Sequence, residues 1–117
     1  MGVCETIRGL LSAESHVNIG YFDDKYDNIV TVTPTGGMPP DHAFGAADPV
    51  VRYPTIQVRV RDKSFSAGFT RTETILKLLS GYSGVGYAIH ATTDILSIGR
   101  DSNNRAEFTV NFKIILI

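Results

Sequence analysis

The side chains best suited to binding a metal ion are three histidines and one cysteine. His16, His42 and His90 lie in three different segments, and no HxH, HxxxH or CxxC spacing joins them to each other or to Cys4. Metal sites commonly take at least two ligands from one such local pattern. The sequence therefore predicts no metal site, and we expect the single cysteine to be a small apolar packing residue on a helix.

The glycine-rich stretch at residues 81–86 is the nearest match to a catalytic or phosphate-binding loop. Its Gly81-Tyr82-Ser83-Gly84 lacks the GxSxG spacing of a serine nucleophile. No strand leads in, no helix leads out, and no lysine is placed to reach a phosphate. Asp23 and Asp24 are adjacent, so on a strand they would face opposite sides and could not act as a pair. These patterns predict a protein that is not an enzyme, with no catalytic residue and no cofactor.

The net charge of −1 conceals a segregation of charge along the chain. Residues 14–48 hold six acids and one base, and residues 49–77 hold six bases and two acids. One interpretation is that the two segments are solvated faces of different sign. Alternatively, an acidic side and a basic side could pair head to tail between copies of the chain. A third interpretation is a basic strip for a nucleic-acid backbone, formed by Arg59, Arg61 and Lys63.

The length of 117 residues suits one domain, which we expect to span residues 1–117. The longest apolar run, at residues 114–117, is far too short to cross a membrane. Residues 1–12 lack the basic start and unbroken apolar run of a signal peptide. These features predict a protein made in a reducing compartment, with no membrane partner.

Two amphipathic helices are predicted. In the first, apolar residues recur at helical spacing and form one stripe: Val3, Ile7, Leu10 and Leu11. The second covers residues 66–80 and has an inner stripe of five residues: Phe69, Thr72, Ile75, Leu76 and Leu79. Thr70 and Glu73 match a capping box, which predicts that the regular helix begins near Thr70. Gly81 stands where a helix needs a left-handed stop.

Strands are predicted at residues 28–35, 55–61, 87–99 and 105–117, the third with an irregularity near residues 93–94 that could divide it in two. The last is the clearest, because apolar residues occupy every second position from Ala106 to Leu116. Neighbouring strands usually pair, and the final two must be antiparallel. The predicted fold is α+β, with a mostly antiparallel sheet of four or five strands and two helices packed on one face.

Residues 35–54 show no clear period and are predicted to form a long loop. Connections of this length are commonly functional or disordered. This one contains Gly36-Gly37 and Pro39-Pro40, and it carries apolar residues such as Met38 and Phe44. It could fold back over its own domain, or it could be an arm that reaches a neighbouring subunit.

The polar run at residues 99–104 is predicted to be the tip of the final hairpin. Arg100, Asp101 and the following Arg105 could make charge-assisted contacts with a partner or with each other. A solvated turn with weak ion pairs is the alternative. We expect the start of the last strand, residues 105–109, to face a partner, and its second half to be the core strand.

Several of these pieces together resemble a known family. They are Gly36-Gly37 with Pro39-Pro40, then Tyr53-Pro54-Thr55-Ile56-Gln57-Val58-Arg59-Val60-Arg61, then a helix, then Gly99-Arg100-Asp101, Asn104-Arg105 and Phe108-Thr109-Val110-Asn111-Phe112. In this order, over residues 34–112, the chain resembles the minor capsid and tail-completion proteins of long-tailed bacteriophages, in particular the tail terminator and tail-to-head joining proteins.

The resemblance implies a structural virion protein with a tail-terminator-like fold. Its copies would assemble in the host cytoplasm into a ring, usually a hexamer. The ring would end growth of the tail tube, join the tail to the head connector and let genome DNA pass unread through its lumen. Another minor capsid or neck role, or a small nucleic-acid-binding module, stays open as an alternative.

The resemblance also indicates where partners would bind. By position, Gly99, Arg100, Asp101 and Arg105 match the family's hairpin, and Tyr53, Pro54, Gln57 and Arg61 match its strand. Taken with the charge pattern and the long loop, this gives seven candidate interface residues: Arg59, Arg61, Arg100, Asp101, Arg105, Met38 and Phe44.

Overall fold

The computed structural model describes residues 3–11, 17–20, 27–42 and 49–116. Its elements follow in this order: α1 (Val3–Leu10), β1 (Val17–Ile19), β2 (Ile29–His42), β3 (Pro49–Asp62), α2 (Phe65–Leu79), β4 (Ser83–Gly84), β5 (Tyr87–Ala91), β6 (Leu96–Arg100) and β7 (Ala106–Leu116). The strands form one sheet in the order β1-β2-β3-β7-β5-β4, with β6 paired to β7. The α+β class and the two helices are as predicted.

The sheet differs from the prediction in size and direction. It has seven strands among the described residues rather than four or five, and it is mixed because β1 runs parallel to β2. The added strands are β1, with three residues, and β4, with two. Segments this short carry no readable alternation, so only their pairing partners reveal them as strands.

Strand β7 is the centre of the sheet. It pairs with β3 along one edge and with β5 and β6, one after the other, along the opposite edge. Phe108, Val110 and Phe112 are fully buried, and they lie opposite Val60, Val58 and Ile56 of β3 in the ladder. The alternation predicted for this strand is confirmed and produces the row of side chains on which α2 packs.

The two ends of β7 are not divided as expected. Arg105 and Thr109 are buried, with exposures of 2% and 6%, whereas Ile115 and Leu116 are half-buried. Burial of Arg105 and Thr109 leaves this part of β7 little surface for a partner, contrary to the expectation for residues 105–109. At this start, β3 and β6 flank β7 on both edges, and α2 covers the face that carries Phe108.

The predicted loop at residues 35–54 is largely a β-hairpin. Strand β2 continues to His42 and β3 begins at Pro49, with pairs such as Gly37↔Pro54. The register shifts between Pro34 and Gly36 and again between Met38 and His42. Each shift changes which face the following side chains occupy, so the alternation that identifies a strand is lost.

Gly37 illustrates why the irregular part of the β2–β3 ladder requires glycine. Its φ is 133°, and a Cβ there would lie 2.1 Å from the Tyr53 carbonyl oxygen, so only glycine fits. Pro34 is tolerated because β1 pairs with β2 only at residues 30–32, which leaves Pro34 on an edge within the described part of the chain.

The molecule is elongated, with principal-axis extents of 53 × 23 × 22 Å. Fourteen residues of β3 span about 46 Å and account for most of the long axis.

Helix α2 begins earlier than predicted. Its N-cap is Ser64, whose side chain accepts a hydrogen bond from the backbone N–H of Ala67 at 3.4 Å. The predicted start at Thr70 is wrong, because α2 already begins at Phe65 and the Thr70 carbonyl accepts a hydrogen bond from Oγ1 of Thr74 within the helix, at 3.0 Å. The expected left-handed stop is present, since Gly81 has a φ of 81°.

Gly68 is the point of closest contact between α2 and the sheet. A Cβ on it would lie 2.7 Å from the Phe108 ring and 2.9 Å from Cβ of Asp62. Both neighbours are buried and held by the β3–β7 ladder. The helix can therefore lie this close to β7 only with glycine at this position.

We expect Gly68→Ala to lower the free energy of unfolding by about 1–2 kcal/mol. With two contacts under 3.0 Å to buried atoms, overpacking should cost roughly 2–3 kcal/mol, the upper part of its usual range, less a gain of about 1 kcal/mol in helix propensity. The matched control is Gly9→Ala in α1, where nothing lies within 4 Å of the added Cβ. This control should be neutral or stabilising by up to about 1 kcal/mol. Urea unfolding of both variants tests the contact, and equal effects would contradict it.

Candidate functional site

The turn between β6 and β7 is held by a compact set of hydrogen bonds. The Asp101 N–H donates to the Arg105 carbonyl at 3.0 Å, and the Asn104 N–H donates to the Asp101 carbonyl at 3.0 Å. Asn104 has a φ of 61°, a conformation that asparagine tolerates better than most residues. The backbone of the hairpin tip is therefore fixed.

The Asp101 carboxylate organises this turn. It accepts from the backbone N–H groups of Asn103 and Arg105, at 3.0 and 2.9 Å, and from Nε of Arg105 at 2.8 Å. The bond from the Arg105 backbone is the main reason that the pKa of Asp101 lies below its ordinary value of 3.8. Partial desolvation acts in the opposite direction, and the Arg105 side chain and the Asn103 N–H lower the pKa further.

Arg105 joins the turn to a second part of the chain. Its side chain is only 3% exposed, and its Nη1 lies 3.7 Å from Oδ1 of Asp27. A buried guanidinium needs such partners because desolvating a charge is costly. Arg100, by contrast, is exposed, and its Nη1 donates to the Asn104 carbonyl at 2.8 Å. Of these two arginines, Arg105 thus holds the turn together and Arg100 lies on its surface.

Strands β3 and β7 contribute a second charged group, on the sheet face opposite the helices. Arg59 forms an ion pair with Glu107, which lies directly opposite Arg61 in the ladder. Arg61 is buried, with 2% exposure. Lys63 is exposed, 3.8 Å from a carboxylate oxygen of Asp27. The structure therefore does not form a solvated basic strip from Arg59, Arg61 and Lys63, which removes the main support for a nucleic-acid-binding module.

The seven candidate interface residues do not form one site. Five of them lie at the end of the sheet where Asp62, Ala106 and Arg100 are in register: Arg59, Arg61, Arg100, Asp101 and Arg105. Met38 lies in β2 opposite Tyr53, toward the other end. Phe44 is outside the described residues. The candidate residues that the structure describes therefore lie in two separate regions of the sheet.

Sequence reasoning missed an exposed aromatic pair at the start of α2. Phe65 is 48% exposed and Phe69 is 38% exposed, although Phe69 was assigned to the inner stripe of the helix. Their rings stack with centroids 6.4 Å apart, and both pack edge-on against Phe108 at 5.1 and 6.0 Å. Their i, i+4 spacing was a usable signal. The assumed later helix start concealed it.

The described part of the chain contains no cluster of metal-binding side chains. Within it, no three His, Cys, Asp or Glu side chains lie close enough to hold a metal ion together. His90 is exposed on β5 opposite Lys113 of β7. None of the helices described is both long enough and apolar enough to cross a membrane.

Comparison with known proteins gives one finding over nearly the whole chain. A family model described as "Bacteriophage tail terminator protein" matches residues 6–116. This range contains both groups of candidate residues and the aromatic pair. No curated protein matches the chain.

We expect Asp101→Asn to destabilise the protein in a pH-dependent way. The folded-state pKa of Asp101 is lowered, so the carboxylate contributes stability above its ordinary pKa of 3.8 and loses that contribution as the pH falls through the lower folded value. The melting temperature of the variant should therefore lie below that of the unmodified protein at pH 7, with the deficit shrinking below about pH 4. Ser102→Ala, an exposed change in the same turn, is the control. A deficit for Asp101→Asn that stays constant between pH 7 and pH 2.5 would contradict this role.

Proposed function

The chain belongs to the bacteriophage tail terminator family, and we propose that its copies form a ring at the head-proximal end of the phage tail. Membership makes it a structural component of the virion. In the proposed role the ring, which we expect to be hexameric, ends growth of the tail tube and joins the tail to the head connector. The family match over residues 6–116 is the observation that carries this proposal.

The shape and charge of the chain support a head-to-tail ring. Such a ring needs two different complementary surfaces on each copy. The molecule is 53 Å long, its β2–β3 hairpin dominates one end and the charged β6–β7 turn lies at the other. Two ends built from different elements suit heterologous contacts better than symmetric dimers.

The candidate residues then take distinct roles. Buried Arg105, bonded to Asp101, would hold the β6–β7 turn in one shape, and exposed Arg100 would meet a partner at that turn. Arg59, with its side chain 37% exposed, and buried Arg61 would set the charge of the adjoining sheet face. Met38 lies in the outer part of the β2–β3 hairpin, which we assign to contact with a neighbouring copy, and Phe44, outside the described residues, stays a candidate for the same contact.

The proposed ring would act by capping. A tube grows when each added layer presents the surface that binds the next one, so a ring that binds this surface without reproducing it stops growth. Genome DNA would pass through the lumen with no base contact, because a conduit must accept every sequence. The head connector would bind the opposite side of the ring.

Tube growth in vitro tests this function. Purified tail-tube protein should polymerise without limit alone, whereas adding this protein at a few copies per tube should stop elongation and leave a ring at one end in negative-stain images. Albumin at the same concentration is the control for nonspecific inhibition. Unlimited growth with no ring on any tube end would overturn the proposal. Labelling of virions that finds the protein on the head shell and not at the neck would favour another minor capsid role.

A further inference from the structure

Strands β1 and β6 lie at the same level on opposite edges of the sheet. Near the β6–β7 turn, the strand order is β1-β2-β3-β7-β6. Cross-strand pairs join these five strands in one continuous row: Asn18, Thr31, Arg59, Thr109 and Leu96. The next row runs in the same way from Val17 of β1 to Ser97 of β6. The two strands are therefore the lateral edges of one layer.

The outer edge of β6 is open. All five residues of β6 are exposed, and within the described part of the chain this strand pairs only with β7. Leu96 and Ile98 add apolar surface, with exposures of 59% and 44%. The backbone N–H and C=O groups along such an edge can bind another extended strand. A bulge between Ser97 and Gly99 confines the regular ladder to the start of β6, so the edge fits a short strand.

The aromatic pair Phe65 and Phe69 lies one strand away from this open edge. Both rings pack on Phe108 of β7, and Ser97 of β6 is paired with Phe108 in the ladder. The rings are 48% and 38% exposed, and Ser97 is too small to cover them. A strand added beside β6 would bring its own side chains toward this apolar surface. The β6 edge and the aromatic pair therefore form one docking surface for an extended, partly apolar strand.

Strand β1 has the properties of such a partner. It is three residues long, Val17–Ile19, and all three residues are half-buried. Among the described residues it pairs only with β2, on one of its two edges. Val17 and Ile19 pack on the border of the hydrophobic core and keep part of their surface accessible. Strand β1 thus offers a short extended segment, comparable in length to the regular part of β6.

Strand direction determines how these two edges can meet. Strands β2, β3, β7 and β6 are antiparallel in turn, and β1 is parallel to β2, so β6 and β1 point in opposite directions. A rotation about an axis parallel to the strands preserves the direction and the level of each strand. The β6 edge of one copy would therefore meet β1 of the next copy antiparallel and in the same row. Pairing of β6 with another β6 would instead be two-fold and would close as a dimer.

We propose that β6 of one copy pairs with β1 of a second copy, so that the sheet continues from one chain to the next. The inference rests on the proposed ring, which it deepens by naming the two edges that meet. Each copy has one β1 edge and one β6 edge, so the contact repeats head to tail until the ring closes. The backbone ladder sets the register, and the aromatic pair Phe65 and Phe69 adds apolar contact near β1 of the neighbouring copy.

Disulfide cross-linking tests the pairing directly, because Asn18 and Leu96 lie in the same row. In one chain these positions are four strand spacings apart, about 19 Å, so a disulfide between them must join two copies. In a Cys4→Ala background, Asn18→Cys with Leu96→Cys should give a ladder of covalent oligomers when rings are oxidised. The control is Asn18→Cys with Val85→Cys, which should stay monomeric on a denaturing gel. Val85 is fully exposed between β4 and β5, outside this row.

Two results of the cross-linking would overturn the proposal. Equal yields from the two double variants, or no covalent oligomer from either, would contradict the pairing of β6 with β1. Covalent dimers from Leu96→Cys alone, in the yield of the double variant, would show that β6 pairs with a second β6.

Charge substitution tests the same contact through assembly, with native mass spectrometry in the presence of tube ends as the readout. Leu96→Lys with Ile98→Lys should abolish rings, because charged side chains block pairing at an edge strand. Adding Asn18→Glu should restore them, because opposite charges on facing strands attract. The control Leu78→Lys with Val85→Lys changes two exposed apolar residues elsewhere and should assemble like the unmodified protein. Thermal unfolding checks that every variant folds, and a folded triple variant without rings would overturn the proposal.

These outcomes separate the inference from the proposed function. Rings that persist in the Leu96 and Ile98 variant, with tube growth still stopped, overturn the inference and leave the function standing. Rings that persist but no longer cap tubes would give the β6 edge to the tail-tube protein and also overturn it. If the unmodified protein forms no ring even with tube ends present, the proposed function itself fails.

Discussion

The structure depends on the central position of β7. Both edges of this strand are bonded, to β3 on one side and to β5 and β6 on the other. Its alternate side chains form the buried row Phe108, Val110 and Phe112. Because backbone pairing and apolar burial coincide in one strand, its register determines where α2 lies. The close approach at Gly68 follows, since any larger residue would push the helix away from the Phe108 ring.

Burial of Arg105 sets the second constraint. A guanidinium that is 3% exposed must keep its charge, so it needs carboxylate partners, which here are Asp101 and Asp27. Asp101 is positioned by the turn that it also holds closed. The ion pair therefore joins the β6–β7 hairpin tip to the segment that leads into β2. This makes one end of the molecule rigid, which suits a surface that must present a constant shape to a partner.

The opposite end is built differently. In the outer part of the β2–β3 hairpin, residues 35–42 and 49–54, shifts of register, two glycines with positive φ and several prolines interrupt the ladder. Prolines and bulges on an edge oppose simple strand addition by another chain. The two ends thus differ in the regularity of their backbone and in the kind of contact that they can make.

Sequence reasoning succeeded where one period ran uninterrupted. The alternation in β7 and the helical stripe of Ile7 and Leu11 in α1 were legible, and both sets of side chains are buried. It failed where the periodic pattern was interrupted or where a local motif was misleading. The bulges in β2 shift the alternation of side chains between the two faces, so this part of the strand was predicted as a loop. The capping-box match at Thr70 misplaced the start of α2, which has its N-cap at Ser64 and packs against β7 through the earlier turn at Gly68.

By itself, the sequence determined the α+β class, the central amphipathic strand and the likeness to tail-completion proteins, because these depend on local pattern and on residues in order along the chain. Only the tertiary structure decided which charged residues are buried and which aromatic residues are exposed. Arg61 and Arg100 are the same residue type, yet Arg61 is buried beside β2 and Arg100 is exposed at the β6–β7 turn. Phe65 and Phe108 are also the same residue type, yet the exposed ring of Phe65 packs on the buried ring of Phe108. A period in sequence tells which face a side chain occupies, and burial depends on what packs against that face from distant parts of the chain.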